Sequence, residues 1–526
     1  MSLLDWIIIF CYAGGLIFLG WWLGLKQKSS EDYYLAGRKL HWLPIGFSTM
    51  ATQLGAISFI SAPAFVALRP GGGLIWLGYE LALPLAMIVL MVFFYPVFHS
   101  LRIISVYEFL EKRYDERTRV VISLIFQLSR GLATGVTIYA AAIVLSVVLQ
   151  IPLTLTILLI GAVAVVYELF GGIHVDIVSD TIQMIVILGG IIITGILGLH
   201  LIGGWESISQ IVDPSRFVAV DFAAHGLGDS KDFGFWPLFF GCFFLYASYY
   251  GCDQSQVQRE LSARNLRDCK RSLLFNGFFR FPIVLGYCTL GLILAAYVAQ
   301  NPEFLAKFPQ GNYDYLLPVF IMEKLPAGVV GIIFIAIMAA AMSSLDSSIN
   351  SLSAATVEDI YKKIRKRRIE PQQEIKISKM FTLFWGIFCI TFAFFVGDIS
   401  PTIIESINKI GSAFYGPIFA VFLAGIVFSK AKPHAAIAGL GIGVTTNLIL
   451  WLFVPSVSWL WWNAIGFSLT VFVILLGSFI FQPLYQTSFI VKIPSEKRIW
   501  KIGYGALIAY VVCLILFLIF LPKLFL

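Results

Sequence analysis

Long apolar segments alternate with short polar ones along the whole chain. About fourteen apolar segments each reach roughly 18 to 30 residues, the length at which a helix crosses a bilayer core about 30 Å thick. Barrel strands would alternate polar and apolar residues over about ten positions, and these segments do not. The pattern predicts an all-α membrane protein with about 14 transmembrane helices, at approximately 5–24, 40–66, 76–98, 119–148, 153–170, 177–203, 234–252, 273–299, 325–355, 379–397, 404–428, 433–453, 461–481 and 502–521.

The positions of the basic residues predict the orientation of these spans. With the N-terminus outside, the inner loops and the adjoining helix ends hold 28 of the 37 Lys and Arg residues, the outer segments hold six, and three lie within spans. Cytoplasmic loops of membrane proteins carry this excess of positive charge. We therefore expect a multi-pass protein of the cell membrane with both termini on the extracellular or periplasmic side.

Composition narrows the class of function. Of the 526 residues, 59% are hydrophobic and 13% are charged, and the net charge of +7 follows the alternate loops. No basic stripe with interleaved aromatic residues suggests a nucleic-acid partner. The six histidines and seven cysteines have no metal-ligand spacing, and no GxSxG or HExxH motif occurs. We expect membrane lipid as a partner, no metal other than a coupling ion, and no enzymatic activity.

A channel and a carrier differ in what their spans contain. A channel needs a filter loop or a pore-lining ring, usually from several shorter subunits. A carrier needs a few polar groups at mid-depth on helices that are broken or rich in small residues. A sodium-dependent channel or a transporter-like sensor remains the less favoured alternative.

The second span contains a polar interruption at residues 48–58, STMATQLGAIS, followed by Pro63. Hydroxyl groups, an amide and a glycine interrupt an otherwise apolar helix near its middle. Backbone carbonyls that lose their helical partners at such a break can coordinate a cation. The alternative is close packing of small residues between helices.

The ninth span contains the sequence AAAMSSLDSSINS at 339–351. Its residues Ala340, Ser343, Ser344 and Ser347 have the i, i+3, i+4, i+7 spacing that places them on one helical face. Their oxygen atoms suit a small cation such as Na⁺. Asp346 follows on a neighbouring face, and a carboxylate within a span is by default a candidate functional group. The serines alone are also compatible with helix packing.

Three further ionisable residues lie within spans three, four and six: Glu80, Arg130 and Asp180. Arg130 is about 16 Å from the inner end of its helix, at 1.5 Å per residue. It should face a cavity, a carboxylate or an anionic ligand, and a structural Glu80–Arg130 ion pair is one alternative. Asp180 is alternatively a boundary residue in contact with water. Arg280 is close enough to a helix end to extend toward the cytoplasm.

Seven segments, taken in order, resemble the sodium:solute symporter family, which includes sodium–glucose, sodium–sialic acid and sodium–monocarboxylate cotransporters. No single segment is decisive, but their order is specific, and the likeness extends from about residue 1 to 480. The segments are SSEDYYLAGRKL at 29–40, ATQLGAISF at 51–59, VYEFLEKRYDERTR at 106–119, YELFGGIHVDIVSDTIQ at 167–183, YYGCDQSQVQRELSARN at 249–265, AAAMSSLDSSINSLSAATVEDIY at 339–361 and GSAFYGPIFAVFLAGI at 411–426.

The resemblance implies a single transporter domain, 1–526, with a LeuT-type core of two inverted five-helix repeats. The first repeat would cover 40–203 and the second 234–428. An extra N-terminal helix, 5–24, precedes them, and three accessory helices follow within 433–526. The resemblance also implies alternating access driven by the sodium gradient.

The family's general sodium site implies Na⁺ ligands on the second and ninth spans of this chain, within the two polar clusters. The corresponding residues are Ala51, Leu54, Ala340, Ser343 and Ser344. A second cation site, present in some members, corresponds to Asp180, Asp346 and Ser347. Asp346 departs from the usual hydroxyl, so that position would either bind a cation more tightly or carry a proton.

Substrate identity follows less directly from the resemblance. Tyr79 and Glu80 match a pair that binds hydroxyls in sugar carriers, and Arg130 matches an arginine that binds the carboxylate in sialic acid carriers. Gly55 and Ser58 correspond to substrate contacts of the broken helix. We expect sodium-coupled uptake of a sugar or a sugar acid such as sialic acid, by a chain that works as a monomer. A monocarboxylate or a vitamin-type organic anion is the alternative.

Overall fold

A computed structural model describes residues 2–24, 29–309, 311–365, 370–397, 402–480 and 497–525. Within these ranges the chain is helical, and its β-structure consists of two isolated bridges, Leu40 with Ala263 and Leu227 with Val457. The all-α class predicted from the apolar segments is confirmed. Part of the region predicted to carry the C-terminal accessory helices, 481–496, lies outside the described residues.

Fifteen principal helices are labelled here in chain order, and shorter helical turns connect them. They are α1 Leu3–Gly24, α2 Trp42–Gln53, α3 Ala56–Ala67, α4 Leu74–Leu101, α5 Glu116–Leu149, α6 Leu153–Leu201, α7 Cys242–Cys252, α8 Gln254–Leu261, α9 Leu266–Gln300, α10 Val329–Ala355, α11 Pro371–Ala393, α12 Ile403–Val427, α13 Pro433–Phe453, α14 Trp459–Ile480 and α15 Arg498–Phe520.

Helix lies at each of the fourteen predicted spans. Among the described residues, ten helices are long and apolar enough to cross a membrane, and the bent pair α2–α3 makes an eleventh. Two further apolar helices are shorter, Leu3–Gly15 and Leu153–Val166, and α7 has only 11 residues. The chain is therefore a multi-pass membrane protein, and the number fourteen remains a prediction.

The second predicted span is broken at its middle, as its polar residues indicated. The axes of α2 and α3 differ in direction by 52°. The helical pattern ends where the Leu54 N–H donates to the Met50 carbonyl at 2.8 Å, and it resumes where the Phe59 N–H donates to Gly55 at 3.2 Å. The carbonyls between these points lie at a helix end, where the regular donors are missing.

Burial separates a core from a lipid-facing shell. In α4, α5, α9, α10 and α12, 72–78% of the most apolar stretch is buried inside the protein. In the second half of α6 and in α11, α13, α14 and α15 the share is 22–39%. Exposed leucine, isoleucine and phenylalanine side chains cover these outer helices, as a hydrocarbon environment requires. The broken pair α2–α3 packs against α6, α9 and α10, at the centre of the core.

A glycine break divides α6 into two helical parts, Leu153–Val166 and Gly172–Leu201 in their apolar stretches. Gly172 has φ 65° and ψ 173°, a conformation that side chains with a Cβ rarely adopt. The break corresponds to the GG pair of the segment at 167–183. It places residues on either side of the break close together, which matters for the carboxyl groups described below.

The N-terminal helix is anchored to α10 by one buried carboxylate. Asp5 is 1% exposed, and its Oδ1 accepts hydrogen bonds from the Gly328 N–H at 2.7 Å and the Gly331 N–H at 2.8 Å. These two N–H groups begin α10 and have no carbonyl partner within that helix. Asp5 thus caps a neighbouring helix, where negative charge is also favourable to the helix dipole.

We predict that Asp5→Ala lowers the free energy of unfolding by about 2 kcal/mol, because two buried N–H groups lose their acceptor. Asp5→Asn keeps an oxygen acceptor in the same place and should lose less. Thermal unfolding of the purified protein in detergent or nanodiscs would measure both. Equal melting temperatures for Asp5→Ala and the unaltered protein would contradict this role.

Candidate functional site

The break between α2 and α3 lies directly against α10. A Cβ on Gly55 would approach the Ser344 hydroxyl to 2.2 Å and the Ala340 carbonyl oxygen to 3.0 Å. Ser344 Oγ donates to the Thr52 carbonyl at 2.9 Å. Gly55 therefore allows the broken helix to approach α10 more closely than any larger residue would. Oxygen atoms of the two elements come together at this point.

The residues predicted for the first sodium site belong to the two elements that meet here, and Ala340 and Ser344 lie at the contact itself. Ala51 and Leu54 are on the α2 side, while Ala340 and Ser343 are on α10 with Ser344. Ser343 is fully buried, and within the described residues its hydroxyl has no hydrogen-bond partner. Carbonyl and hydroxyl oxygens of this kind are the ligands that a Na⁺ ion takes in broken-helix carriers.

The residues predicted for a second cation site are also neighbours, but a guanidinium group lies among them. Arg259 of α8 donates to the Asp180 carboxylate at 3.1 Å, to Ser48 at 2.8 Å and to Ser347. The Ser48 hydroxyl itself donates to Asp180 at 2.5 Å. Asp180 is fully buried, so the alternative that it is a boundary residue in contact with water is wrong.

Asp346 makes no such contact. It is 1% exposed, and neither of its carboxylate oxygens has a hydrogen-bond donor among the described residues. It faces Asp180 and Asp176 across the interface between α10 and α6. In the predicted second cation site, Arg259 thus compensates the charge of Asp180, whereas the charge of Asp346 has no partner among the described residues. The sequence did not predict this difference.

A cavity opens beside the break and contains every residue predicted to bind substrate. Its walls come from α2, α3, α4, α5, α7, α9, α10 and α12. The lining residues are Thr52, Gln53, Leu54, Gly55, Ile57, Ser58, Ala62, Trp76, Tyr79, Glu80, Arg130, Thr137, Leu245, Tyr249, Arg280, Val284, Tyr287, Ser344, Ser348, Ile404, Ile407, Asn408 and Tyr415. Leu54 and Ser344, both predicted for the first sodium site, therefore also line the cavity, together with Gly55, which was predicted to contact substrate.

Arg130 pairs with Asp253, and the proposed alternative of a Glu80–Arg130 ion pair is wrong. One Nη of Arg130 donates to Asp253 Oδ2, while Asp253 Oδ1 accepts from the Ser255 N–H at 2.9 Å at the start of α8. The guanidinium lies 5.0 Å from the centre of the Tyr249 ring. Its Nε has no partner within the described residues. Arg130 thus lines the cavity and has one buried donor, Nε, unpaired among the described residues.

Glu80 instead pairs with Arg280, which is buried and does not extend toward the cytoplasm. Arg280 Nε donates to Glu80 at 2.6 Å, and Tyr246 donates to the same carboxylate at 2.8 Å. Arg280 also donates to the Gln53 side chain. Proximity to a helix end misled the sequence-based expectation, because α9 packs this part of its length against α4 and the broken helix.

The sequence analysis did not identify Asp253 as the partner of Arg130 or Asn408 as the partner of Tyr79, although the sequence contains some indications of both. Asp253 precedes a polar helix and is its N-cap, a position that favours aspartate. The cavity also contains Tyr249, Asn408 and Tyr415. These are polar or aromatic residues in segments whose other residues are mostly apolar, so the sequence pattern alone did not mark them as site residues. Tyr79 donates to Asn408 at 2.8 Å, a contact between distant segments that periodicity does not reveal.

Comparison with known proteins agrees with this architecture. The family model for the sodium:solute symporter family matches residues 33–443. A sodium/sialic acid symporter of Aliivibrio fischeri is 29% identical over 92% of this chain and 94% of its own length. The human sodium/iodide cotransporter is also 29% identical, over 82% of this chain and 67% of its own.

A solved structure gives the same result for the fold. It is the substrate-bound outward-open state of a Na⁺-coupled sialic acid symporter, with a novel Na⁺ site. Its TM-score is 0.79 at 26% identity, and the match covers 92% of this chain and 99% of that one. The LeuT-type core expected from the sequence is therefore confirmed. The chain belongs to the sodium:solute symporter family and is a sodium-coupled membrane transporter, not an enzyme.

Proposed function

We propose that this protein carries a sugar acid such as sialic acid into the cell together with Na⁺. The observation that supports this most directly is the shared position of Leu54, Gly55 and Ser344. They border the oxygen cluster of α10 on one side and the cavity holding Arg130 on the other. An ion that orders this contact also orders the cavity wall, which is the physical requirement for coupling.

We assign the first Na⁺ to the carbonyls of Ala51, Leu54 and Ala340 and the hydroxyls of Ser343 and Ser344. The buried Ser343 hydroxyl without a partner supports this assignment, since such a group is costly unless a ligand satisfies it. Bound Na⁺ would hold α2–α3 against α10 and so favour one state of the carrier. Release into the sodium-poor cytoplasm would then free the two elements to separate.

We place a second cation between the carboxylates of Asp180 and Asp346, which face each other between α6 and α10. The two unsatisfied oxygens of Asp346 support this position. Ser347 is the weakest member of the set, because its hydroxyl is already a partner of Arg259 and bonds back to the Ser343 carbonyl. Arg259 would hold Asp180 in place when the cation is absent.

A sugar acid fits the cavity better than a small monocarboxylate or a vitamin-type anion does. Arg130 offers its buried Nε donor for one carboxylate, as such recognition requires. Glu80 is neutralised by Arg280, so the opposite wall does not repel an anion. The remaining polar groups are neutral and suit hydroxyls, among them Gln53, Ser58, Tyr79, Tyr249, Asn408 and Tyr415.

We further propose the orientation with both termini outside and function as a monomer embedded in lipid. The distribution of basic residues supports the orientation. The membrane potential then helps uptake, because one positive charge moving inward at 100 mV contributes about 2.3 kcal/mol. The domain division, with repeats at 40–203 and 234–428, agrees with a broken first core helix and a packed partner helix α10.

Ser343→Ala should weaken Na⁺ binding by about tenfold or more, since a buried ligand oxygen worth roughly 1.4 kcal/mol is lost. Sodium-dependent uptake into proteoliposomes and sodium titration of the purified protein would measure this. Ser351→Ala is the matched control, because Ser351 is buried on the same helix and, within the described residues, its hydroxyl donates to the Ser348 carbonyl alone, at 2.8 Å. An unchanged sodium requirement for Ser343→Ala would remove this ligand.

The role of Arg130 in substrate binding is best tested with a variant that does not leave its partner Asp253 as an unpaired buried charge. Arg130→Gln alone should destabilise the fold by about 3–5 kcal/mol, because Asp253 then remains buried without a counter-charge. The double variant Arg130→Gln with Asp253→Asn keeps the site neutral. We expect this variant to fold and bind Na⁺ while losing sialic acid binding.

A thermal-shift screen of sialic acid, neutral sugars and monocarboxylates, each with and without Na⁺, reports that binding. For the unaltered protein, sialic acid should raise the melting temperature only when Na⁺ is present. Stabilisation by a neutral sugar alone would reject the acidic substrate. Undiminished stabilisation of the double variant by sialic acid would reject Arg130 as its ligand.

The orientation predicts opposite labelling at two exposed loop positions. Ser230→Cys should react with a membrane-impermeant maleimide on intact cells, whereas Arg117→Cys should react only after the membrane is opened. Both residues are exposed in the structure, so access differs only by side of the membrane. The reverse labelling pattern would invert the proposed topology.

A further inference from the structure

Two buried carboxyl groups meet across the glycine break of α6. Glu168 precedes the break and Asp176 follows it, and their side chains are 0% and 1% exposed. The break at Gly172, with its positive φ, lies between them, and the two side chains are close neighbours. Neither residue belongs to the proposed sodium sites or to the cavity wall.

The donors around this pair do not suffice for two ionised carboxylates. Glu168 Oε1 accepts from the Asn350 amide at 2.6 Å, but Oε2 has no donor within the described part of the chain. The same is true of both Asp176 oxygens. The Tyr33 hydroxyl donates to the backbone carbonyl of Glu168 at 3.5 Å and not to its carboxylate. Two facing acceptors without a donor are strongly unfavourable unless a proton lies between them.

The charges around Glu168 and Asp176 make a proton between the two carboxyl groups still more favourable. Asp346 of α10 faces the pair with both oxygens unsatisfied, and Asp180 lies one turn further along α6. The positive group that faces this cluster is Arg259, whose N–H groups are engaged by Asp180, Ser48, Ser347 and the Ser255 carbonyl. The phenols of Tyr12 and Tyr33 face the cluster from α1 and from the short helix Ser30–Leu35.

We propose that Glu168 and Asp176 form a proton-binding site that shares one proton and releases it when Na⁺ binds nearby. The proton passes from the carboxyl pair to water as the cation arrives between Asp180 and Asp346. The buried cluster then keeps the same net charge before and after the exchange. That exchange avoids the desolvation cost of an uncompensated charge in either state.

The direction of the coupling follows from reciprocity. A nearby positive ion favours the ionised pair, so Na⁺ lowers the affinity of the pair for its proton. A proton on the pair must weaken Na⁺ binding by the same factor. Sodium affinity should therefore fall as the pH falls, by up to about tenfold per pH unit once the proton is bound. This inference rests on the cation positions proposed above.

Isothermal titration of the purified full-length protein with NaCl tests the exchange. Titrations in buffers of different ionisation enthalpy count the protons released, and a pH series gives the slope of sodium affinity. We expect close to one proton released per Na⁺ bound at the pair. Asp176→Asn and Glu168→Gln should each abolish that release and flatten the pH slope.

Asp314→Asn is the matched control. Asp314 is equally buried and has one oxygen without a donor within the described residues, but it belongs to the short helical turn Tyr313–Tyr315 and accepts from the Ile403 N–H, the first of α12, at 2.9 Å. It should leave the proton count and the pH slope unchanged. Sodium binding without proton release, or release that survives both cluster variants, would overturn the proton site while leaving sodium coupling intact.

Infrared difference spectroscopy distinguishes a failure of the proton site from a failure of the sodium assignment. A protonated buried carboxyl gives a carbonyl band that should be present without Na⁺, shift in D₂O and be missing from Asp176→Asn. If the unaltered protein binds no Na⁺, the sodium assignment fails, and the band still decides whether the pair holds a proton. A spectrum identical in Asp176→Asn and the unaltered protein would reject the shared proton.

Discussion

The contact between Gly55 and α10 is the constraint on which the site depends. Only a residue without a side chain lets the break in the second span come this close to Ser344 and the Ala340 carbonyl. That closeness places carbonyls of a helix end against the hydroxyl face of another helix, where Ser344 donates to the Thr52 carbonyl at 2.9 Å. The same contact forms part of the cavity wall, so under the proposed assignment ion and solute would share atoms of one junction. Coupling between them is then local and needs no long pathway.

Some buried charges around this junction form ion pairs, and others have no partner of opposite charge among the described residues. Arg130 with Asp253 and Arg280 with Glu80 are ion pairs that make the cavity walls close to neutral. Removing either partner would leave a buried charge alone, which explains why such pairs act as rigid parts of a site. On the other side of the break the balance differs. Among the described residues, the carboxyl groups of Glu168, Asp176, Asp180 and Asp346 outnumber the guanidinium of Arg259. Ionisable residues within spans typically mark the pathway of an ion or a substrate.

Overall similarity does not decide the solute. A sialic acid symporter and an iodide cotransporter match this chain at the same 29% identity. The two relatives share the family's architecture, while their named solutes differ in size, shape and hydrogen bonding. Substrate choice must therefore come from a few side chains placed on a common frame. In this chain the Nε donor of Arg130 and the neutral polar groups around it favour an acidic, hydroxyl-rich solute.

The sequence by itself determined the helical class, the broken second span and the two polar clusters. Each of these is a local property, since hydrophobic length, helical spacing and helix-breaking residues act within one segment. The cluster of serines on α10 was visible for the same reason. Which charges pair was decided only by tertiary structure. Arg130 meets Asp253 across 123 positions and Glu80 meets Arg280 across 200, and no periodicity links residues so far apart. Spacing along one helix reports which face a residue shares, whereas the packing of several helices decides what lies opposite that face.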